Sequence, residues 1–181
     1  MKDGGYLDLR PPPGTFPDLT EYAEEAFHHR AGPLRPPFLS ARVKIDMMRR
    51  MLRLSSQDRV LDIGCGNGRA VFYTRPRCEQ MVAIDAGGHF APEAMATADL
   101  ARGDIRRLPF ASGSFDKAYS LDVMEHLTED GVRAMLSEAR RILRPGGLLF
   151  IYSHVMISSP LAAFQRGVNR LVRWLDRRGL V

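Results

Sequence analysis

Cysteine is scarce in this chain: Cys65 and Cys78 are the two in 181 residues, and they form no C-x-x-C pair. A disulfide-built scaffold is therefore not expected, and without His/Cys clusters at ligand spacing neither is a zinc site; the metal expectation is none. No apolar run approaches the ~20 residues needed to span a bilayer. The opening Met1-Lys-Asp-Gly-Gly-Tyr6 also lacks the apolar stretch of an export signal. A reducing, cytoplasmic setting with no integral membrane segment is the expectation. Internal repeats and low-complexity tracts are missing as well.

What is present is a globular balance, 45% hydrophobic and 26% charged, which suits one domain able to bury a full core. The net charge is +5. Many arginines lie in residues 133–144 and 166–178, alternating with apolar residues, and read first as solvated helix faces, with nucleic acid or a membrane surface as lesser readings.

Proline divides the chain. Seven of the twelve fall within the first 37 residues, so residues 1–38 read as an irregular arm carrying one short helix over residues 18–30. Residues 39–181 form the main domain. It opens with a helix from Leu39 to Leu54 whose apolar face is expected at Val43, Met47, Met51 and Leu54. From Arg59 onward, short apolar runs are punctuated by glycine and acid: 60–63, 81–84, 98–101, 117–121 and 148–153. Between the last two, Val132, Met135, Leu136, Ala139, Ile142 and Leu143 make a helical stripe with an acidic start at Thr128-Glu-Asp130 and a stop at Pro145-Gly-Gly147. Strand, helix and strand imply right-handed crossovers, hence an α/β, Rossmann-like, doubly wound and mostly parallel sheet.

In such a sheet the ligand lies beyond the carboxyl ends of the strands, where strand order reverses. Gly64-Cys-Gly66-Asn-Gly68 comes directly after the first run and lets backbone N–H groups approach a ligand. Alone it would admit a dinucleotide, but Arg69 stands where that fingerprint wants a third glycine or alanine. Asp85 ends the second run and can accept from ribose hydroxyls.

The ordered set Val60-Leu-Asp-Ile-Gly-Cys-Gly-Asn-Gly-Arg69, Ala83-Ile-Asp85, Gly103-Asp-Ile-Arg-Arg-Leu-Pro-Phe110, Ser114-Phe-Asp116, Glu125-His-Leu127 and Ile142-Leu-Arg-Pro-Gly-Gly147 resembles the class I S-adenosylmethionine-dependent methyltransferases, particularly those acting on small molecules. The resemblance implies S-adenosylmethionine as cofactor and a small-molecule or lipid-like acceptor. It implies that Gly64 and Gly66, with Cys65 between them, make room for the methionine part, and that Asp62 lies near its amino group. Asp85, with Ala86 beside it, would hold the ribose; Asp104 and the Ile105 backbone would meet adenine; the Leu121 carbonyl would help bind the ammonium. Asp116 and Phe115 read as strand starters, and Cys65 as a packing residue with no base beside it.

A methyl already activated on a sulfonium needs no metal, so catalysis is chiefly positioning. For a hydroxyl acceptor the base candidates are His126 and His154, with His28 and His29 if the N-terminal helix covers the site. The place after the fourth strand holds Leu121-Asp-Val-Met-Glu125 rather than an Asn/Asp-Pro-Pro-aromatic motif, which weighs against RNA or DNA as acceptor. A non-catalytic cofactor-binding module is the other alternative. The family fold continues past its fifth strand with a helix and two more strands, whereas here one basic amphipathic stretch, 160–175, precedes the last residue. The expectation is a sheet truncated after the fifth strand, completed by a missing C-terminal segment or a homodimer partner.

Overall fold

The computed structural model describes residues 2–3, 6–9 and 39–153. Strands β1 (Lys2–Asp3), β2 (Tyr6–Asp8), β3 (Arg59–Ile63), β4 (Gln80–Asp85), β5 (Asp99–Arg102), β6 (Phe115–Leu121) and β7 (Leu143–Tyr152) form one sheet in the order β1-β2-β5-β4-β3-β6-β7. All neighbours pair parallel except the β1–β2 hairpin. Helices α1 (Leu39–Leu52), α2 (Arg69–Thr74), α3 (Pro92–Met95) and α4 (Glu129–Ile142) cover it.

Two apolar layers arise from the near-continuous runs of a parallel sheet buried on both faces. On one face Val60, Met81, Ala83 and Tyr119 pack with Ile45, Met48 and Leu52 of α1 and Val71 of α2. On the other, Leu61, Ile63, Ile84 and Ala118 pack with Met135, Ala139 and Ile142 of α4. Thr128 caps α4, its side chain accepting from the Gly131 N–H at 3.2 Å. Arg141 ties α4 to the loop after β5, donating to the carbonyls of Leu108 and Phe110 at 2.8 and 2.7 Å.

Strand order turns at β3. The chain runs outward through β4 and β5, then returns to lay β6 on the other side of β3, which opens a crevice above the carboxyl ends of β3 and β6.

Several expectations are corrected. Among the described residues the sheet has seven strands rather than five. The two additions come from the proline-rich arm, where β2 pairs with β5 through Leu7↔Ala101 and Asp8↔Arg102. Strands of two and three residues carry no readable alternation; they are fixed by the Leu9 N–H donating to the Arg102 carbonyl at 2.7 Å and by Tyr6 standing edge-on to Phe90 at 5.0 Å. The buried face of α1 is Ile45, Met48 and Leu52, while Val43, Met47 and Met51 are exposed. Both stripes have helical spacing, and only the sheet decides which one enters the core. Leu136, placed in the α4 stripe, is likewise exposed. β7 starts at Leu143, earlier than expected, with a register irregularity against β6 between Phe115 and Lys117. The proposed helices over 18–30 and 160–175 lie outside the described residues, as does the remainder of the chain after Ser153.

Met48→Ala, which empties a fully buried position, is expected to cost ~2–5 kcal/mol, and Met51→Ala less than ~0.5 kcal/mol. Urea unfolding of the two variants measures the difference, and the reverse ranking would overturn the assigned face.

Candidate active site

The glycine loop is built by backbone geometry. Gly64, Gly66 and Gly68 have φ of +80°, +56° and +84°, a region side chains avoid. Two of them are also packed tightly: a Cβ on Gly64 would overlap the Val123 side chain, and one on Gly68 would lie 2.5 Å from the Ala94 Cβ. Gly66 differs, since a Cβ there would meet nothing within 4 Å. The loop turns its open side at Gly66, where another molecule can pass close to the backbone.

The loop is held from β4. The Gly64 and Cys65 N–H groups both donate to the Ile84 carbonyl, at 2.8 and 3.2 Å. One oxygen of Asp85 accepts the Gly66 N–H at 2.8 Å and the other accepts the Gly87 N–H at 2.8 Å. From the other side, the buried Ser120 hydroxyl donates to the Ile63 carbonyl at 2.8 Å, joining the ends of β3 and β6.

Above these ends lies a cleft of about 210 Å³ lined by Asp62, Gly64, Cys65, Leu121 and Asp122 together with Arg69 and Ala70 of α2 and Ala41, Lys44 and Ile45 of α1. Asp62 is 1% exposed, and its Oδ2 has no hydrogen-bond partner among the described residues. Burial, partly opposed by the neighbouring Tyr119 hydroxyl and reinforced by the charge of Asp85, raises its pKa to about 8. Burial likewise pushes the Cys65 thiol well above its ordinary range, so it is no ready nucleophile. The Nε of Arg69 is buried with no described partner. Lys44 pairs with Asp122, whose φ is +57°, and its ammonium lies 5.2 Å from the Tyr152 ring centre. Two acids, Asp62 and Asp122, and two cations, Lys44 and Arg69, thus line one small cleft, groups of the kind that pair with the zwitterionic end of an amino acid.

Asp62, Gly64, Cys65 and Leu121 are thus brought to one cleft. Gly66 lies on the loop that borders it, and Asp85 and Ala86 at the end of the neighbouring strand. Asp85 retains acceptor positions beyond its two loop bonds. The Ala86 carbonyl accepts from Arg102 Nε at 2.9 Å. Asp104, 2% exposed, is gripped by the Arg106 guanidinium, with Nε 3.0 Å from Oδ1 and Nη2 3.1 Å from Oδ2; Ile105 is buried in the α4-side layer. His126 occupies an exposed 3-10 turn, Met124–His126, and does not line the cleft. In the same turn Glu125 accepts from the Ser153 hydroxyl at 2.5 Å, linking it to the end of β7. His28, His29 and His154 lie outside the described residues. Asp116 is structural, accepting the Arg59 N–H at 2.6 Å and pairing with Arg144 at 2.6 Å. Sequence reasoning places Asp122 at the strand end but misses Lys44 and Arg69 as cleft residues. Arg69 is visible in the sequence as the residue breaking the dinucleotide fingerprint; Lys44 has no local signal. Among the described residues no group of three His, Cys, Asp or Glu side chains could hold a metal, and no helix is long and apolar enough to cross a membrane.

Residues 61–151 match the family model described as a methyltransferase domain. The ubiquinone biosynthesis O-methyltransferase of Azorhizobium caulinodans is 30% identical over 135 residues, covering 71% of this chain and 53% of that protein. The PH0226 protein of Pyrococcus horikoshii OT3 shares the fold at a TM-score of 0.60 and 21% identity, covering 74% of this chain and 60% of that one. The Haemonchus contortus phosphoethanolamine N-methyltransferase 1, solved with phosphoethanolamine and S-adenosylhomocysteine, does so at 0.56 and 22%, covering 64% and 26%. The chain spans about half the length of the curated relatives it matches.

The loop geometry sets two stability outcomes. Gly66→Ala is expected to cost ~1–2 kcal/mol for its positive φ alone, whereas Gly64→Ala adds a clash with Val123 and lowers the melting temperature further; equal losses would contradict the packing described. Asp62 binds a proton more tightly folded than unfolded, so its contribution to stability declines as pH rises from the ordinary carboxylate range through about 8. Asp62→Asn should flatten that decline, and thermal melts at pH 5, 6.5 and 8.5 would show it; parallel curves for the two proteins would count against a protonated Asp62.

Proposed function

This chain belongs to the methyltransferase family whose domain it matches over residues 61–151, with S-adenosylmethionine as cofactor, and we propose that it carries out methyl transfer to a small-molecule or lipid-like acceptor at the β3–β6 crevice. The reading rests on the groups that line the cleft, Asp62 and Asp122 with Lys44 and Arg69, beside an open Gly66.

When bound, the cofactor supplies a methyl group activated by its sulfonium. The residues of the chain bind and orient. Asp62, protonated in the free protein, is drawn toward its ionised form by an ammonium partner and then accepts from it, with the Leu121 carbonyl as second acceptor. Arg69 Nε and the Lys44 ammonium face the carboxylate, Lys44 while keeping its bridge to Asp122. Gly66 lets the backbone pass close to the cofactor, Asp85 uses its remaining lone pairs for the ribose hydroxyls, and the Asp104–Arg106 pair borders the adenine with Ile105. Holding acceptor and methyl at near-attack distance is the principal catalytic effect, one that reaches ~7–11 kcal/mol in favourable cases. A base for a hydroxyl acceptor would come from His154, or from His126 where the acceptor reaches the exposed turn after β6, since His126 does not line the cleft.

Small-molecule O-methyl transfer is supported by the similarity to the ubiquinone biosynthesis O-methyltransferase. A non-catalytic cofactor-binding module is the second reading, favoured by β7 standing as an edge among the described residues. Turnover of phenolic, amine and lipid acceptors in a radiolabelled-methyl assay separates the two.

Titration calorimetry with S-adenosylhomocysteine should give saturable binding, weakened about tenfold or more in Arg69→Ala, the usual worth of a charged hydrogen bond. A folded protein that takes up neither S-adenosylmethionine nor S-adenosylhomocysteine would sink this reading.

A further inference from the structure

The outer side of α1 is unlike an ordinary solvated helix face. Leu39, Val43, Met47 and Met51 are 78%, 57%, 38% and 65% exposed. They succeed one another at four-residue steps, and at 100° per residue Leu39 and Val43 lie across the helix from Ile45, Met48 and Leu52 in the core, with Met47 and Met51 winding toward the edge of that buried face. Scattered exposed apolar residues are common on monomers, whereas a row running the length of a 14-residue helix is a surface with a use.

The row is set in positive charge. Arg42, Arg50 and Arg53 are exposed beside it. Arg49 lies close enough to Arg77 that burial, and then the Arg77 charge, lowers its pKa. Asp46 is the one acid of α1 and is already paired with Arg49 at 3.3 Å. Crowded cations next to aliphatic side chains are relieved by a partner that is anionic and apolar at once. A nucleic-acid duplex supplies the anions but has no use for four aliphatic side chains; a bilayer of anionic lipid supplies both. Residues 161–178 repeat this composition in sequence, with five arginines against one aspartate and with Phe164 and Trp174 among the apolar positions.

We propose that the outer face of α1 is a docking surface for an anionic lipid bilayer, its apolar row entering the interface and its arginines meeting the headgroups. The consequence for function rests on the reading of the cleft as a cofactor site. Ala41, Lys44 and Ile45 of the same helix wall that cleft, so a docked α1 brings it to acceptors dissolved in the membrane.

The test is co-sedimentation of the full chain with unilamellar vesicles, some of phosphatidylglycerol mixed with phosphatidylcholine and some of phosphatidylcholine alone. The expected result is partition to the anionic vesicles, reduced by salt. It should fall about tenfold or more when three apolar contacts are removed together in Val43→Ser/Met47→Ser/Met51→Ser, and fall again in Arg50→Glu/Arg53→Glu. Neither variant should change S-adenosylhomocysteine affinity. The proposal is overturned if the chain stays with the supernatant, if the serine variant partitions like the parent, or if duplex RNA is retained with the same sensitivity to the serine substitutions. It is also overturned if those substitutions lower the melting temperature by several degrees, since the row would then be covered by the chain itself. Vesicle binding without S-adenosylhomocysteine binding would leave the docking surface standing and remove the site reading alone.

Discussion

The carboxylate of Asp85, 3% exposed at the end of β4, accepts the Gly66 N–H through one oxygen and the Gly87 N–H through the other, both at 2.8 Å. Those two bonds splice the loops after β3 and β4, and the Ile84 carbonyl adds two more from Gly64 and Cys65. Positive φ at three glycines costs the loop its freedom in the unfolded chain; the buried carboxylate offsets that cost by satisfying an N–H that would otherwise be orphaned. The cleft inherits its shape from this splice. Gly64 is pressed against Val123 and Gly68 against Ala94, which leaves Gly66 as the place where backbone is open to a ligand.

Electrostatics complete what the loop begins. Asp62 lies under the loop, where burial raises its pKa to about 8. Opposite it, Arg69 projects from the first turn of α2, immediately after the glycines, and Lys44 arrives from α1. The two cations come from segments 25 positions apart, and the sheet places α1 and α2 side by side on one face. A cleft lined by two acids, Asp62 and Asp122, and two cations, Lys44 and Arg69, one acid already paired with one cation, recognises charge pattern more than volume.

Helix α1 carries three duties on one cylinder. Its inner face closes the core with Ile45, Met48 and Leu52; its shoulder walls the cleft with Ala41 and Lys44; its outer face is apolar and arginine-rich. Such crowding of roles explains why its periodicity misleads. Two apolar stripes exist, both at helical spacing, and the one at strict four-residue steps is the solvent-facing one.

The sequence by itself determined the parallel α/β fold, the succession of its central strands along the chain from Val60 onward, the glycine loop and the acids at the strand ends. Each of these is signalled locally, by a run of β-branched and aliphatic residues, by glycine where φ must be positive, or by a carboxylate at a strand terminus. The α4 helix is legible for the same reason, having a cap and a stripe, although the stop expected at Pro145-Gly-Gly147 lies inside β7, after a helix that ends at Ile142. Tertiary structure decided the rest. The arm's first residues became sheet because β5 offers an unpaired edge to Leu7 and Leu9, a contact across more than ninety positions that two- and three-residue strands cannot announce. The motif puts His126 at the strand end, yet the 3-10 turn exposes it outside the cleft. Lys44 joined the site because the packing of α1 on β6 and β7 brings its ammonium to Asp122. Burial, pairing and pKa belong to neighbours distant in sequence, and only the folded sheet assembles them.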